Sequence, residues 1–103
     1  MSYRASMARS IKELRFVMCQ SSPESLGARR FVATNYLGIK QMNPTLPFVV
    51  RECHGAQPNV MARYDFGVEK RVWLNGLTEA EVDGAVEELV TQSGDVNAAM
   101  PGN

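Results

Sequence analysis

Residues 13–19, ELRFVMC, alternate: Leu14, Phe16 and Met18 fall on one side of an extended chain, and Arg15, Val17 and Cys19 on the other. Period-two alternation with one strongly apolar side predicts a strand. The pattern changes at Ser22-Pro23-Glu24, which supplies an N-cap serine, a proline at the first helical position and an acid in the first turn. Ala28, Val32, Tyr36 and Ile39 then recur at spacings of four, four and three, which is one face of a helix. Asn43-Pro44 ends it, because a residue before proline avoids the helical region. Pro47 to Glu52, PFVVRE, reads as a second strand. Strand, helix and strand within about forty residues make a βαβ unit, whose strands run parallel.

His54 to Asn59 is a loop with Gly55 and Pro58. Val60–Tyr64 and Lys70–Leu74 read as two further strands around Asp65-Phe66-Gly67-Val68, a hairpin turn with its glycine placed for positive φ. Thr78 and Glu81 form a capping box, and Leu77 with Val82 forms a hydrophobic staple. Val82, Val86 and Leu89 are the stripe of a last helix, which Ser93-Gly94 stops. The order βαβ then ββα predicts an α/β domain: a four-stranded mixed sheet with two main helices covering its faces, which is a minimal thioredoxin-like fold.

With 103 residues there is room for one domain. We place it at 12–92, between a flexible arm over 1–11 and a flexible tail over 93–103. The first twelve residues carry Arg4, Arg9 and Lys12 with no acid, the flavour of an organelle-import segment. The arm is short for a cleaved one, so an import signal here is expected to stay on the protein. The formal net charge is zero, which argues against a chain whose main task is wrapping nucleic acid. No apolar run approaches the roughly 18 residues that span a bilayer.

The two cysteines, Cys19 and Cys53, end the two parallel strands and so should meet at one edge of the sheet. Neighbouring strands lie about 4.8 Å apart, inside the Cα range of about 4.4–6.8 Å that a disulfide needs. Three readings stay open: two unpaired thiols, a structural or regulatory disulfide, and a catalytic thiol. The last has the corner that thiol enzymes use, Cys19-Gln20-Ser21-Ser22 leading into a helix, and Pro58 stands where they carry a cis-proline. It lacks a CxxC pair. His54 beside Cys53 could complete a metal trio with Cys19 or serve as a base, but adjacent residues on an extended chain point apart. Arg51, Arg63 and Tyr64 are candidate partner contacts, since Arg and Tyr are enriched at interface hot spots. Trp73 is expected to pack on the sheet.

Four blocks in consecutive order, LRFVMCQSSPESLGARRFV, NPTLPFVVRECHGAQP, MARYDFGVEK and LNGLT, resemble the small thioredoxin-like accessory subunit family of mitochondrial NADH:ubiquinone oxidoreductase, respiratory complex I. The resemblance spans about Lys12 to Val90, and CQSSP, NPxLP, RECxxxQP and ARYxFG are its most specific pieces. It implies a non-catalytic supernumerary subunit in the matrix-facing peripheral arm that supports assembly and stability. It implies other complex I subunits as partners, no cofactor or metal of its own, no nucleic acid and no membrane insertion. Cys19 and Cys53 match the family's two cysteines, which can form a disulfide. The family is related to thioredoxin-like mitochondrial ribosomal proteins, but RECxxxQP and ARYxFG favour the complex I branch. A small thiol–disulfide oxidoreductase and a mitochondrial ribosomal protein are the alternatives.

Overall fold

A computed structural model of the chain describes residues 3–93. Four strands, β1 (Glu13–Met18), β2 (Phe48–Glu52), β3 (Asn59–Arg63) and β4 (Glu69–Trp73), form one sheet in the order β2-β1-β3-β4. β1 and β2 are parallel, as a βαβ crossover requires, and the other two pairings are antiparallel. Three α-helices accompany them: α1 (Met7–Ser10), α2 (Leu26–Met42) and α3 (Glu79–Thr91). This is the thioredoxin-like α/β arrangement that the order of elements predicts.

The alternation in β1 decides where the helices go. Leu14, Phe16 and Met18 join Val60 and Ala62 of β3 and Phe48 of β2 in a single core with Ala28, Phe31 and Ile39 of α2 and Val82, Val86 and Leu89 of α3. The Phe16 ring stacks on Phe31 and on Phe48, each at 5.8 Å between centroids, and Tyr36 meets Phe48 edge-on at 4.8 Å. Both long helices therefore cover the same side of the sheet and pack on each other. Helices on both faces were expected; the second face of β1 sets Glu13 and Arg15 beside Val17, and its charged residues pair within the sheet, Glu13 with Arg15 and Arg63, instead of presenting a continuous apolar surface to a helix. The domain has two layers, and one sheet face is open.

Ser22 caps a 3-10 turn, Pro23–Ser25, by accepting the Glu24 N–H at 3.2 Å, and α2 proper starts one turn later than the cap suggests. The Thr78–Glu81 capping box forms in both directions. At the β3–β4 hairpin Gly67 has positive φ as expected, and so does Phe66, at 65°. Two successive left-handed residues match the twist of a hairpin, at the expense of a non-glycine residue in that region.

The N-terminal segment differs from the flexible arm expected over 1–11. Residues 3–10 are helical, and Met7 and Ile11 are fully buried in the core. Asn43, the residue that stops α2, also holds this segment: its side chain accepts the Ala8 N–H at 2.9 Å and donates to the Arg4 carbonyl at 2.6 Å. Arg4 pairs with Asp83 of α3 at 2.9 Å, and the Tyr3 hydroxyl donates to the same carboxylate. Burial and that carboxylate together raise the Tyr3 pKa well above the ordinary phenol range. Of the tail expected to be flexible over 93–103, residues 94–103 lie outside the described residues.

Two glycines of α2 give a paired test. A Cβ on Gly27 would collide with the Leu77 carbonyl and stand 2.9 Å from Leu77 C, all backbone, whereas one on Gly38 meets nothing within 4 Å. Gly27→Ala should destabilise by about 1–3 kcal/mol through overpacking. Gly38→Ala should stabilise by about 0.5–1 kcal/mol through helix propensity. Urea denaturation of both variants checks the opposite signs.

Candidate functional site

Cys19 follows the last residue of β1 and is 3% exposed. The chain turns sharply there to reach α2. The Cys19 N–H donates to Ser25 Oγ at 3.1 Å, and Arg29 ties the corner by donating to the carbonyls of Cys19 and Ser22 at 2.9 and 2.7 Å. Across the parallel pair, the Cys53 N–H donates to the Met18 carbonyl at 2.9 Å, which extends the ladder by one residue. The two cysteines thus stand at the same sheet edge, as their places at the ends of parallel strands predict. Both thiols are unbonded; Cys53 is exposed.

The loop after Cys53 turns back over the corner. The Ala56 N–H closes on the Cys53 carbonyl at 3.0 Å, Gly55 takes φ 74°, and its N–H points at Cys19 Sγ from 3.4 Å. Ser21 Oγ lies 3.8 Å from the sulfur. Backbone N–H groups of Ser21, then Gly55 and Ser22, lower the Cys19 pKa to about 6, against a smaller opposing effect of burial. The corner stabilises a thiolate, while the low exposure of Cys19 restricts what can reach it.

Other expectations at this edge fare differently. The peptide bond before Pro58 is trans, like every described peptide bond, so the expected cis-proline is corrected. Trans is the intrinsic preference of X–Pro bonds by about 0.5–1 kcal/mol, and the trans chain already satisfies its backbone, with the Pro58 carbonyl accepting the Leu74 N–H at 2.9 Å. Cys19, Cys53 and His54 make no metal-holding group among the described residues.

The candidate contact residues separate by strand parity. Arg51 is exposed and Arg63 half-buried, and both point to the open face. Tyr64 follows Arg63 and turns to the other side, where it is 1% exposed and its hydroxyl donates to the Leu89 carbonyl at 2.6 Å. Burial pushes its pKa up to about 12. Tyr64 is a core residue and is withdrawn as a contact. Trp73, expected to pack on the sheet, is instead 56% exposed, on the open face beyond Arg71. The signal that locates it was present: Glu69, Arg71 and Trp73 alternate in phase with Arg63 and Met61.

The register lays the open face out in rows across the sheet. Arg51, Val17, Asn59 and Trp73 form one row, and Val49, Arg15, Met61 and Arg71 the next. Glu13, Arg63 and Glu69 form the third. Glu13 binds Arg15 at 2.7 Å and Arg63 at 3.1 Å, and Glu69 reaches Arg63 at 3.5 Å. Arg71 donates to Asn59 Oδ1 at 3.1 Å with its guanidinium 5.9 Å from the Trp73 ring centre. On the helical side a groove of about 710 Å³ lies between α2 and β2, lined by Met18, Val32, Tyr36, Leu37 and Val50 among others.

A two-layer thioredoxin-like domain with a one-cysteine corner and an uncovered sheet face is the class that fold and site define. Residues 28–79 match the family described as "Mitochondrial ribosomal protein L51 / S25 / CI-B8 domain", and the chain belongs to that family. It is similar to "NADH dehydrogenase [ubiquinone] 1 alpha subcomplex subunit 2" of Arabidopsis thaliana, 52% identical over 87% of this chain and 93% of that one. The mouse (Mus musculus) protein of the same name is 42% identical over 79% of this chain and 82% of its own length. "NADH-ubiquinone oxidoreductase 10.5 kDa subunit" of Neurospora crassa is 38% identical over 87% and 96%.

The Cys19 corner generates its own test. In reduced protein, absorbance at 240 nm should show one thiolate titrating near pH 6, and Cys19→Ser should remove that step. Because the folded pKa lies below that of an ordinary thiol, the unfolded chain binds more protons between the two values. This group's contribution to stability therefore grows as pH rises from about 6 and is lost as pH falls through it.

Proposed function

We propose that the chain is a non-catalytic accessory subunit of mitochondrial respiratory complex I, placed in its matrix-facing peripheral arm, where it supports assembly and stability. The observation that carries this reading is that plant, mammalian and fungal relatives, each matched over more than four-fifths of its own length, all bear the names of subunits of that NADH dehydrogenase. A small domain with a well-packed single core and one open sheet face suits the task. It brings a rigid surface to larger subunits, and burial there stabilises the assembly.

Within this reading Cys19 and Cys53 are a redox-sensitive pair. A disulfide such as oxidised glutathione takes two electrons from the two thiols and leaves as two thiols, while Cys19 Sγ bonds to Cys53 Sγ. The Cys19 thiolate also favours a second reading, a thiol–disulfide oxidoreductase with Cys19 as nucleophile. That reading requires the purified protein to reduce disulfides and Cys19→Ser to abolish the activity; inert protein ends it.

The accessory-subunit reading is tested on a native gel of gently solubilised mitochondria, probed for this chain and stained for NADH dehydrogenase activity. The chain is expected in the large NADH-active band, and its deletion is expected to weaken that band. Migration at low mass alone would overturn the reading.

A further inference from the structure

The open sheet face is the part of the molecule that the fold leaves unexplained. No described segment covers it. It carries Arg15, Arg51, Arg63 and Arg71 against Glu13 and Glu69. The charges are not evenly spread. Both glutamates stand in the row at the hairpin end, where they engage Arg63, and Glu13 also holds Arg15. The row at the cysteine end has Arg51, which makes no ion pair among the described residues, and no acid at all. Beside it stand half-buried Val17 and the exposed Trp73 indole, braced by Arg71. In a chain of zero net charge, this half-face is locally basic and apolar at once.

We propose that this face, centred on Val17 and Trp73 and flanked by Arg51 and Arg71, is the surface by which the chain docks on an acidic protein surface of its complex. Charge complementarity chooses the partner's chemistry: carboxylates to meet Arg51 and Arg71, around an apolar recess for the indole. Tryptophan and arginine are the residue types that dominate interface energetics when they are desolvated together, and complementary charge steers the encounter and fixes the register. The groove between α2 and β2 is the rival surface. Its rim residue Leu37 is 72% exposed, but the charged residues that line it, Arg29 and Glu52, are of opposite sign and select no partner charge. An RNA strand would also meet arginine and an aromatic ring, yet a neutral chain lacks the wider basic field that such binding draws on.

The inference rests on the accessory-subunit reading, and one set of re-expressed variants separates the two. In mitochondria lacking the endogenous chain, wild type, Arg51→Glu, Trp73→Ala and Leu37→Glu are compared for incorporation into the NADH-active band. Thermal unfolding of each purified variant confirms folding; Arg51→Glu, at an exposed and unpaired side chain, is the variant least able to disturb it. Wild type and Leu37→Glu are expected to enter the band, and both open-face variants to fall about tenfold or more. Open-face variants that enter as wild type does would overturn this surface while leaving the accessory reading intact. Loss of Leu37→Glu alone would assign docking to the groove. Wild type absent from the band would sink both proposals. Trp73 is the chain's single tryptophan, so quenching of the purified protein's fluorescence by poly(U) at physiological salt would assign the face to RNA and overturn the proposal.

Discussion

The molecule is organised by the two-sidedness of its central strand. β1 pairs with β2 on one edge and β3 on the other, so its alternation is imposed on the whole sheet through the register. Leu14, Phe16 and Met18 demand cover, and both long helices answer on that side, with Phe16 stacked between Phe31 and Phe48. Glu13 and Arg15 demand solvent or ionic partners on the other side, and they find them in each other and in Arg63. A one-residue slip of β1 would exchange the two faces. The core, the close approach of α2 to Leu77 and the uncovered face all follow from keeping that register.

Much of this was legible in the sequence because it is written locally. The period-two run at 13–18, the capping box at Thr78 and the Asn43-Pro44 stop are short-range signals, and their elements form where expected. The parallel pairing of β1 with β2 follows from crossover geometry, and it alone brings Cys19 and Cys53 to one edge. What was not legible depends on tertiary partners. Residues 3–11 look like a solvated basic arm until Asn43 and Asp83 are seen to receive them. Phe31 lies outside the stripe chosen for α2, yet it is fully buried, because the helix faces both Phe16 and α3.

The candidate contacts fail and succeed by strand parity. Arg63 and Tyr64 are neighbours in sequence and opposites in space: one meets Glu13 on the open face, and the other donates to Leu89 inside the core. Composition suggested Tyr64 and passed over Trp73; counting alternate positions from Met61 would have reversed both. The cysteine corner is a different case. Its stabilised thiolate comes from backbone N–H groups that the turn presents, with Gly55 reaching over from the loop after the neighbouring strand β2. No motif spells such a cradle out, since any residue can supply an N–H.

The central claim is that this domain covers one sheet face with its own helices and leaves the other to its complex. Carbene or hydroxyl-radical footprinting of the free protein and of the purified NADH:ubiquinone oxidoreductase containing it tests that claim directly. Trp73 and Val17 labelling strongly in the free chain and becoming protected in the complex, with Leu37 labelled in both, is the predicted result. Trp73 labelling equally in both states would contradict the account.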